Sequence, residues 1–157
     1  MIKLTNINEH GVQASLIHWF RCKYPEHTHL FFAIPNGGRR DKATAARLKK
    51  EGVVAGIPDL MLAIPRPPFH GLFLELKTAT GSVSRSQKAV AETLRAQNYR
   101  VVVAYGLDDA IETIETYLET RRTHPPRAVG GYAAGDAGAH QATGCDVWPY
   151  APQKLRD

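Results

Sequence analysis

Apolar residues along this chain come in short runs with two different periods. From Val12 to Phe20 they fall at Val12, Leu16, Ile17, Trp19 and Phe20, a helical spacing that ends before Pro25. Asn8 can cap that helix, and Glu9 falls in its first turn, near the positive end of the dipole. Residues 30–34 read as a strand, and Pro35-Asn36-Gly37-Gly38 as a turn or loop. The stretch 41–51 is rich in strong helix formers and stops at Gly52. Two strands follow, at about 59–64 and 71–77. The three prolines between them suit a hairpin-like connection better than a crossover helix. Ser84-x-x-Gln87 is a capping box that opens a helix, in which Ala89, Val90, Ala91 and Leu94 predict a narrow buried stripe. Residues 100–106 form a nearly continuous apolar strand of the kind buried on both faces. A last helix runs from Asp108 to about Arg121, with Ile111, Ile114, Tyr117 and Leu118 on one side.

The element order is therefore α, β, α, β, β, α, β, α. This predicts an α/β fold, with a mixed central sheet flanked by helices and a β-α-β crossover through the helix that begins at Ser84. At 157 residues the chain fits one domain with a proper core. Its character changes after Arg122. Residues 123–157 are rich in Gly, Ala and Pro and hold no sustained period, so the expected division is a folded domain over 1–122 and a flexible tail over 123–157.

Charge adds a partner class. The net charge is +5, and all of it lies before residue 123, because the tail balances Arg127, Lys154 and Arg156 against Asp136, Asp146 and Asp157. Arg39, Arg40, Lys42, Arg47, Lys49 and Lys50 form the densest basic stretch. Such runs usually mark a solvated helical face; if the protein binds DNA, these side chains are natural phosphate contacts. No apolar run approaches a membrane span and the N-terminus lacks a signal-peptide core, so no membrane partner and a cytoplasmic location are expected. Cys22 and Cys145 lie far apart without a C-x-x-C, which argues against a disulfide scaffold or a Cys-rich zinc site. Seven histidines show no H-E-x-x-H or comparable ligand spacing, and Walker, G-x-S-x-G and dinucleotide motifs are absent from the sequence.

The stretch 56–77 carries the candidate chemistry. Charge enters its two apolar runs at Asp59, just after Pro58, and at Glu75 and Lys77, with Leu76 between them. Alternation along a strand puts Glu75 and Lys77 on one face, and side-by-side pairing of the runs would bring the Asp59 and Glu75 carboxylates together. Those residue types suit metal-assisted hydrolysis of a phosphodiester. Mg²⁺ takes one or two carboxylates with waters and substrate oxygens; the Leu76 carbonyl could be a further ligand, and Lys77 could act on the water or the phosphate. Spacing alone favours the plainer reading, in which Glu75 and Lys77 form the solvent face of an amphipathic strand and Asp59 is a turn residue.

A longer run of motifs changes that balance. P-D followed by an E-x-K strand, a helix and another strand resembles the restriction-endonuclease-like PD-(D/E)xK core. More closely, the chain resembles the VRR-NUC family, which occurs alone in phages and bacteria and as a domain of larger repair nucleases. The likeness is carried by Glu9 and Gln13, IPNGGRR at 34–40, AARLKKEGVVAGIPDL at 45–60, GLFLELK at 71–77 and SRSQKAVAETLRAQNYRVVVAYG at 84–106. The resemblance implies a Mg²⁺- or Mn²⁺-dependent DNA endonuclease acting on branched or structured DNA, as in DNA repair, and a homodimer like that of Holliday junction resolvases. It implies Asp59 and Glu75 as metal ligands and Lys77 as the catalytic lysine. Glu9 would complete the metal site from the first helix, and Gln87 would contact metal-bound water or DNA. Glu9 could instead merely favour the helix dipole, and Gln87 merely complete its capping box. Trp19 and Phe20 are the candidates for an exposed apolar dimer surface. The alternative from another class is a DNA-binding or assembly protein that keeps the fold but does not cleave.

Overall fold

In the computed structural model, which describes residues 9–35 and 42–120, the two periods separate into helices and strands as the pattern predicts. Helix α1 spans Glu9–Lys23 and is followed by a short 3-10 helix, Pro25–Leu30, and by strand β1, Phe31–Ala33. Helix α2 is Lys42–Lys50; strands β2, Leu60–Leu62, and β3, Leu72–Lys77, follow. Helix α3, Arg85–Ala96, strand β4, Arg100–Tyr105, and helix α4, Leu107–Glu119, complete the order. Arg39, Arg40 and the tail at 123–157 lie outside the described residues.

Among the described residues four strands form one sheet in the order β1-β2-β3-β4. β1, β2 and β3 are antiparallel neighbours, and β4 runs parallel to β3, as a crossover through α3 requires. The fold is thus the mixed α/β sheet flanked by helices that the element order predicts. The Pro-rich connection is a hairpin closed between Arg66 and Phe69, whose N–H groups each donate to the other's carbonyl at 3.0 and 2.8 Å.

One face of the sheet makes the core. Leu60, Leu62, Leu72, Leu74 and Leu76 pack against Val12, Leu16 and Phe20 of α1 and against Ala110, Ile114 and Tyr117 of α4. Each fully buried leucine contributes about 2 kcal/mol through lost apolar surface. Polar groups in this layer are satisfied locally. Tyr117 Oη donates to the Ile64 carbonyl at 2.8 Å, and burial pushes its pKa up to about 12. Buried Arg66 donates from Nε to the Leu118 carbonyl at 2.9 Å, tying the hairpin to the helix end where carbonyls lack intrahelical partners.

Four expectations need correction. Pro25 does end α1, but it also opens a 3-10 helix over a segment that has no apolar period to announce it. α3 has no buried residue: Ala89 is exposed, while Val90, Ala91 and Leu94 are half-buried. β4 is an edge strand with only Val101 and Ala104 buried, so its apolar run signals a strand without signalling a central one. Phe20 is fully buried against Phe31 and Tyr24, at ring-centroid distances of 4.6 and 5.1 Å, and Trp19 is half-buried beside it; they do not form an exposed apolar surface.

Candidate active site

Strand β3 alternates as the sequence predicts, yet all six of its residues are buried. Leu72, Leu74 and Leu76 enter the core. Phe73, Glu75 and Lys77 take the opposite face, where Glu75 is 3% and Lys77 8% exposed. The plainer reading of these two charges as a solvent face is therefore excluded. The crossover geometry is the cause: α3 returns the chain from β3 to its neighbour β4 and its first turn lies over this face, with the Gln87 side chain reaching Glu75.

Asp59 arrives from the other side. Leu60 stands opposite Leu74, so extending the antiparallel ladder by one residue sets Asp59 opposite Glu75. Its backbone still belongs to the sheet, because the Asp59 carbonyl accepts from Ile34 N–H at 2.8 Å. Its side chain reaches across to β3, where Oδ2 accepts from Leu76 N–H at 2.9 Å. That bond lies between Glu75 and Lys77 in the chain. The carbonyl of Leu76 leaves the strand on the same edge as its N–H, toward Asp59.

Glu75 is the centre of the cluster. Its Oε1 accepts from Lys77 Nζ and from Gln87 Nε2. Gln87 has a second contact, since its Oε1 accepts from Ser84 N–H at 2.8 Å and its own N–H donates to Ser84 Oγ at 3.2 Å. One side chain thus completes the capping box and also touches Glu75. Glu9, half-exposed at the start of α1, lies 3.9 Å from Lys77 Nζ. Gly81 packs on the lysine stem: a Cβ there would be 3.1 Å from Lys77 Cδ. Sequence reasoning missed that contact, and only the glycine in Thr78-Ala79-Thr80-Gly81 hinted at it.

Electrostatics follow from this packing. Burial raises the Asp59 pKa, opposed by the Leu76 N–H and the Lys77 charge. Burial likewise raises Glu75, against the Lys77 hydrogen bond, and the Asp59 charge pushes it further up. For Lys77 burial alone would lower the pKa, but the hydrogen bond and charge of Glu75, with Glu9 and Asp59, outweigh it and hold the group above an ordinary lysine. Lys77 is thus a cation at neutral pH in this arrangement.

The donor set fits a hard divalent cation. Among the described residues Glu75 Oε2 is the one buried side-chain polar atom with no hydrogen-bond partner, beside a lysine whose charge is favoured by Glu75, Glu9 and Asp59. Such an orphaned oxygen calls for a ligand. No three His, Cys, Asp or Glu side chains among the described residues stand together as a protein-only metal site. Carboxylate donors by their chemistry suit a hard, oxygen-seeking ion such as Mg²⁺, which takes one or two carboxylates, better than zinc.

The basic residues are distributed differently. Lys49 and Lys50 of α2 are exposed, and exposed Arg47 pairs with Glu51 at 3.5 Å. The Lys42 side chain lies outside what is described, as do Arg39 and Arg40. A groove of about 440 Å³ between β4 and α4, lined in part by Arg100, Asp109 and Glu112, contains none of the residues gathered around Glu75. No helix among the described residues is long and apolar enough to cross a membrane.

Comparison with known proteins bears on the whole arrangement. The family model described as the VRR-NUC domain matches residues 6–108. A solved structure described as a VRR_NUC domain protein is similar at 30% identity with a TM-score of 0.65, covering 74% of this chain and 93% of that one. Nothing among the curated proteins matches.

Proposed function

The chain belongs to the VRR-NUC domain family, and on that premise we propose that it is a Mg²⁺- or Mn²⁺-dependent endonuclease that hydrolyses phosphodiester bonds in branched or structured DNA. Family membership carries the coarser statement, a nuclease-type function with DNA as partner. The single observation that supports the finer one is the buried Glu75–Lys77 pair beside Asp59, with one Glu75 oxygen left without a partner.

In this reading Asp59 and Glu75 hold the ion, with the Leu76 carbonyl as a further ligand and Glu9 contributing from the rim. When bound, the ion supplies charge stabilisation at the phosphate and a more acidic water. The chain's own residues do the rest. Leu76 N–H fixes Asp59, and Gln87 and Lys77 fix Glu75, so both carboxylates are oriented before any ligand arrives. Lys77, held protonated by its acidic neighbours, is suited to neutralising charge on the phosphate and orienting the attacking water; its raised pKa disfavours it as the base. Arg39, Arg40, Lys42, Arg47, Lys49 and Lys50 would bind the DNA backbone, a contact that weakens with salt. Two copies would set the spacing of two sites on a junction.

The test is a cleavage panel of four-way junction, flap, single-strand and plain duplex DNA, with Mg²⁺ or Mn²⁺ and with chelator. Asp59→Ala, Glu75→Ala and Lys77→Ala are each expected to abolish cleavage while DNA binding persists. Undiminished cleavage by Lys77→Ala would overturn the mechanism. DNA binding by the wild type with no cleavage under any metal would favour the non-cleaving alternative.

A further inference from the structure

Gly56 turns through the left-handed region at φ +85°, three residues before Asp59, and lies against the first turn of α3. A Cβ built on it would stand 2.6 Å from the Ser86 carbonyl carbon and 2.8 Å from both Ser86 O and Gln87 N. All three atoms belong to one peptide unit, so no side-chain rotation can make room; the loop or the helix turn would have to move by several tenths of an ångström. That peptide leads directly into Gln87, whose side chain spans from the Ser84 N–H to Glu75 Oε1. The same short loop leads into Asp59, whose carboxylate is fixed by Leu76 N–H. Two segments that bring site groups from distant parts of the sequence therefore approach backbone to backbone at Gly56, and both then hold β3.

We propose that Gly56 is a positioning residue of this site: its missing side chain lets the 56–59 loop lie on the Ser86–Gln87 peptide, and that contact sets the reach of Gln87 to Glu75. The consequence for cation binding rests on the nuclease reading; the contact and its effect on Gln87 do not. Groups that orient a metal-binding carboxylate typically change metal affinity by about ten- to a hundredfold when disturbed.

A left-handed φ strains any L-residue, so conformational strain must be separated from the contact. Gly52 provides the control, because its φ is +94° and nothing lies within 4 Å of the position a Cβ would take. Gly56→Ala and Gly52→Ala are compared by NMR of the Gln87 side-chain amide and by titration with Mn²⁺. In the wild type the Gln87 amide is expected to be shifted and slow to exchange relative to exposed Gln97. In Gly56→Ala it should collapse toward the Gln97 behaviour, with Mn²⁺ binding about ten- to a hundredfold weaker; Gly52→Ala should leave both unchanged. A Gln87 amide unaltered in Gly56→Ala, or altered equally in both variants, overturns the proposal. If Gly56→Ala does not fold, Gln87→Asn withdraws the amide by one methylene, and unchanged Mn²⁺ affinity in that variant overturns the role of its reach. A wild type that shows the protected Gln87 amide but binds no Mn²⁺ would refute the metal-dependent reading, while the amide comparison still decides the contact.

Discussion

The two faces of β3 are both buried and chemically opposite. Leu72, Leu74 and Leu76 meet α1 and α4 in a layer that excludes water by apolar packing. On the other face Phe73 packs on Tyr99, Lys77 lies against Gly81, and Glu75 meets Gln87 in the first turn of α3, a helix that buries none of its own side chains. One face is closed by bulk and the other by a hydrogen-bonded network around Glu75. Burial on the leucine face stabilises the fold, whereas burying Glu75 costs desolvation that the Lys77 hydrogen bond offsets only in part. On the proposed nuclease reading, this is the face that binds the ligand.

The largest expected effects separate the two faces. Leu74→Ala should lower unfolding free energy by about 2–5 kcal/mol, read by chemical denaturation, while folded protein still binds Mn²⁺. Glu75→Gln should unfold as cooperatively as the wild type, yet lose cleavage by on the order of a thousandfold or more. If Glu75→Gln cleaves normally, the charged face is structural and the contrast disappears.

How far this contrast could be read from the chain differs between the faces. Alternation in Leu-Glu-Leu-Lys assigned each β3 residue to its face, and the element order placed the hairpin and the crossover. Alternation is silent about what covers a face, because water and a helix turn both tolerate Glu and Lys at every second position. The burial of Glu75 and Lys77 depends on where α3 lands, a tertiary fact. The same blindness explains β4, whose valines suit a central strand but occupy an edge. Gln87 was identified twice over, as a cap and as a site residue, but the sequence could not show that one amide performs both contacts. Gly56 was visible only as part of a motif; its use lies in a backbone approach that no pattern of side chains encodes.

A smaller effect follows from the raised carboxylate pKa values. A carboxyl whose folded pKa lies above its unfolded value favours folding when protonated, and that contribution is lost as pH rises through the folded pKa. At neutral pH, without metal, ionised Asp59 therefore opposes folding. Asp59→Asn keeps an acceptor for Leu76 N–H and removes the charge, so its melting temperature should exceed that of the wild type at neutral pH. The gap should close below the ordinary aspartate range, where the wild type is protonated too. A melting temperature lowered by Asp59→Asn at neutral pH would contradict this. The same sign governs ligand binding: protons compete with the cation at Asp59 and Glu75, so Mn²⁺ affinity measured by calorimetry should begin to fall on acidification above the ordinary carboxylate range. An affinity that stays level down to that range would place the ion elsewhere.

The smallest effect belongs to Glu9, which stands between the two regimes. It starts α1, the helix that packs the leucine face, and its carboxylate lies 3.9 Å from Lys77 on the charged one. Because Glu9 is half-exposed, its pairing with Lys77 adds at most about 1 kcal/mol, and salt reduces it. Glu9→Gln should therefore leave the melting temperature nearly unchanged. Its effect on cleavage discriminates between two placements. A residue that only steers Lys77 should cost about tenfold or less in rate, with Mn²⁺ affinity unchanged, since Asp59 and Glu75 keep their own partners. A direct metal ligand should weaken Mn²⁺ binding together with the rate, to the extent seen in Asp59→Ala. Measuring the rate and the Mn²⁺ affinity of one variant thus decides whether the charged face ends at β3 or includes the first turn of α1.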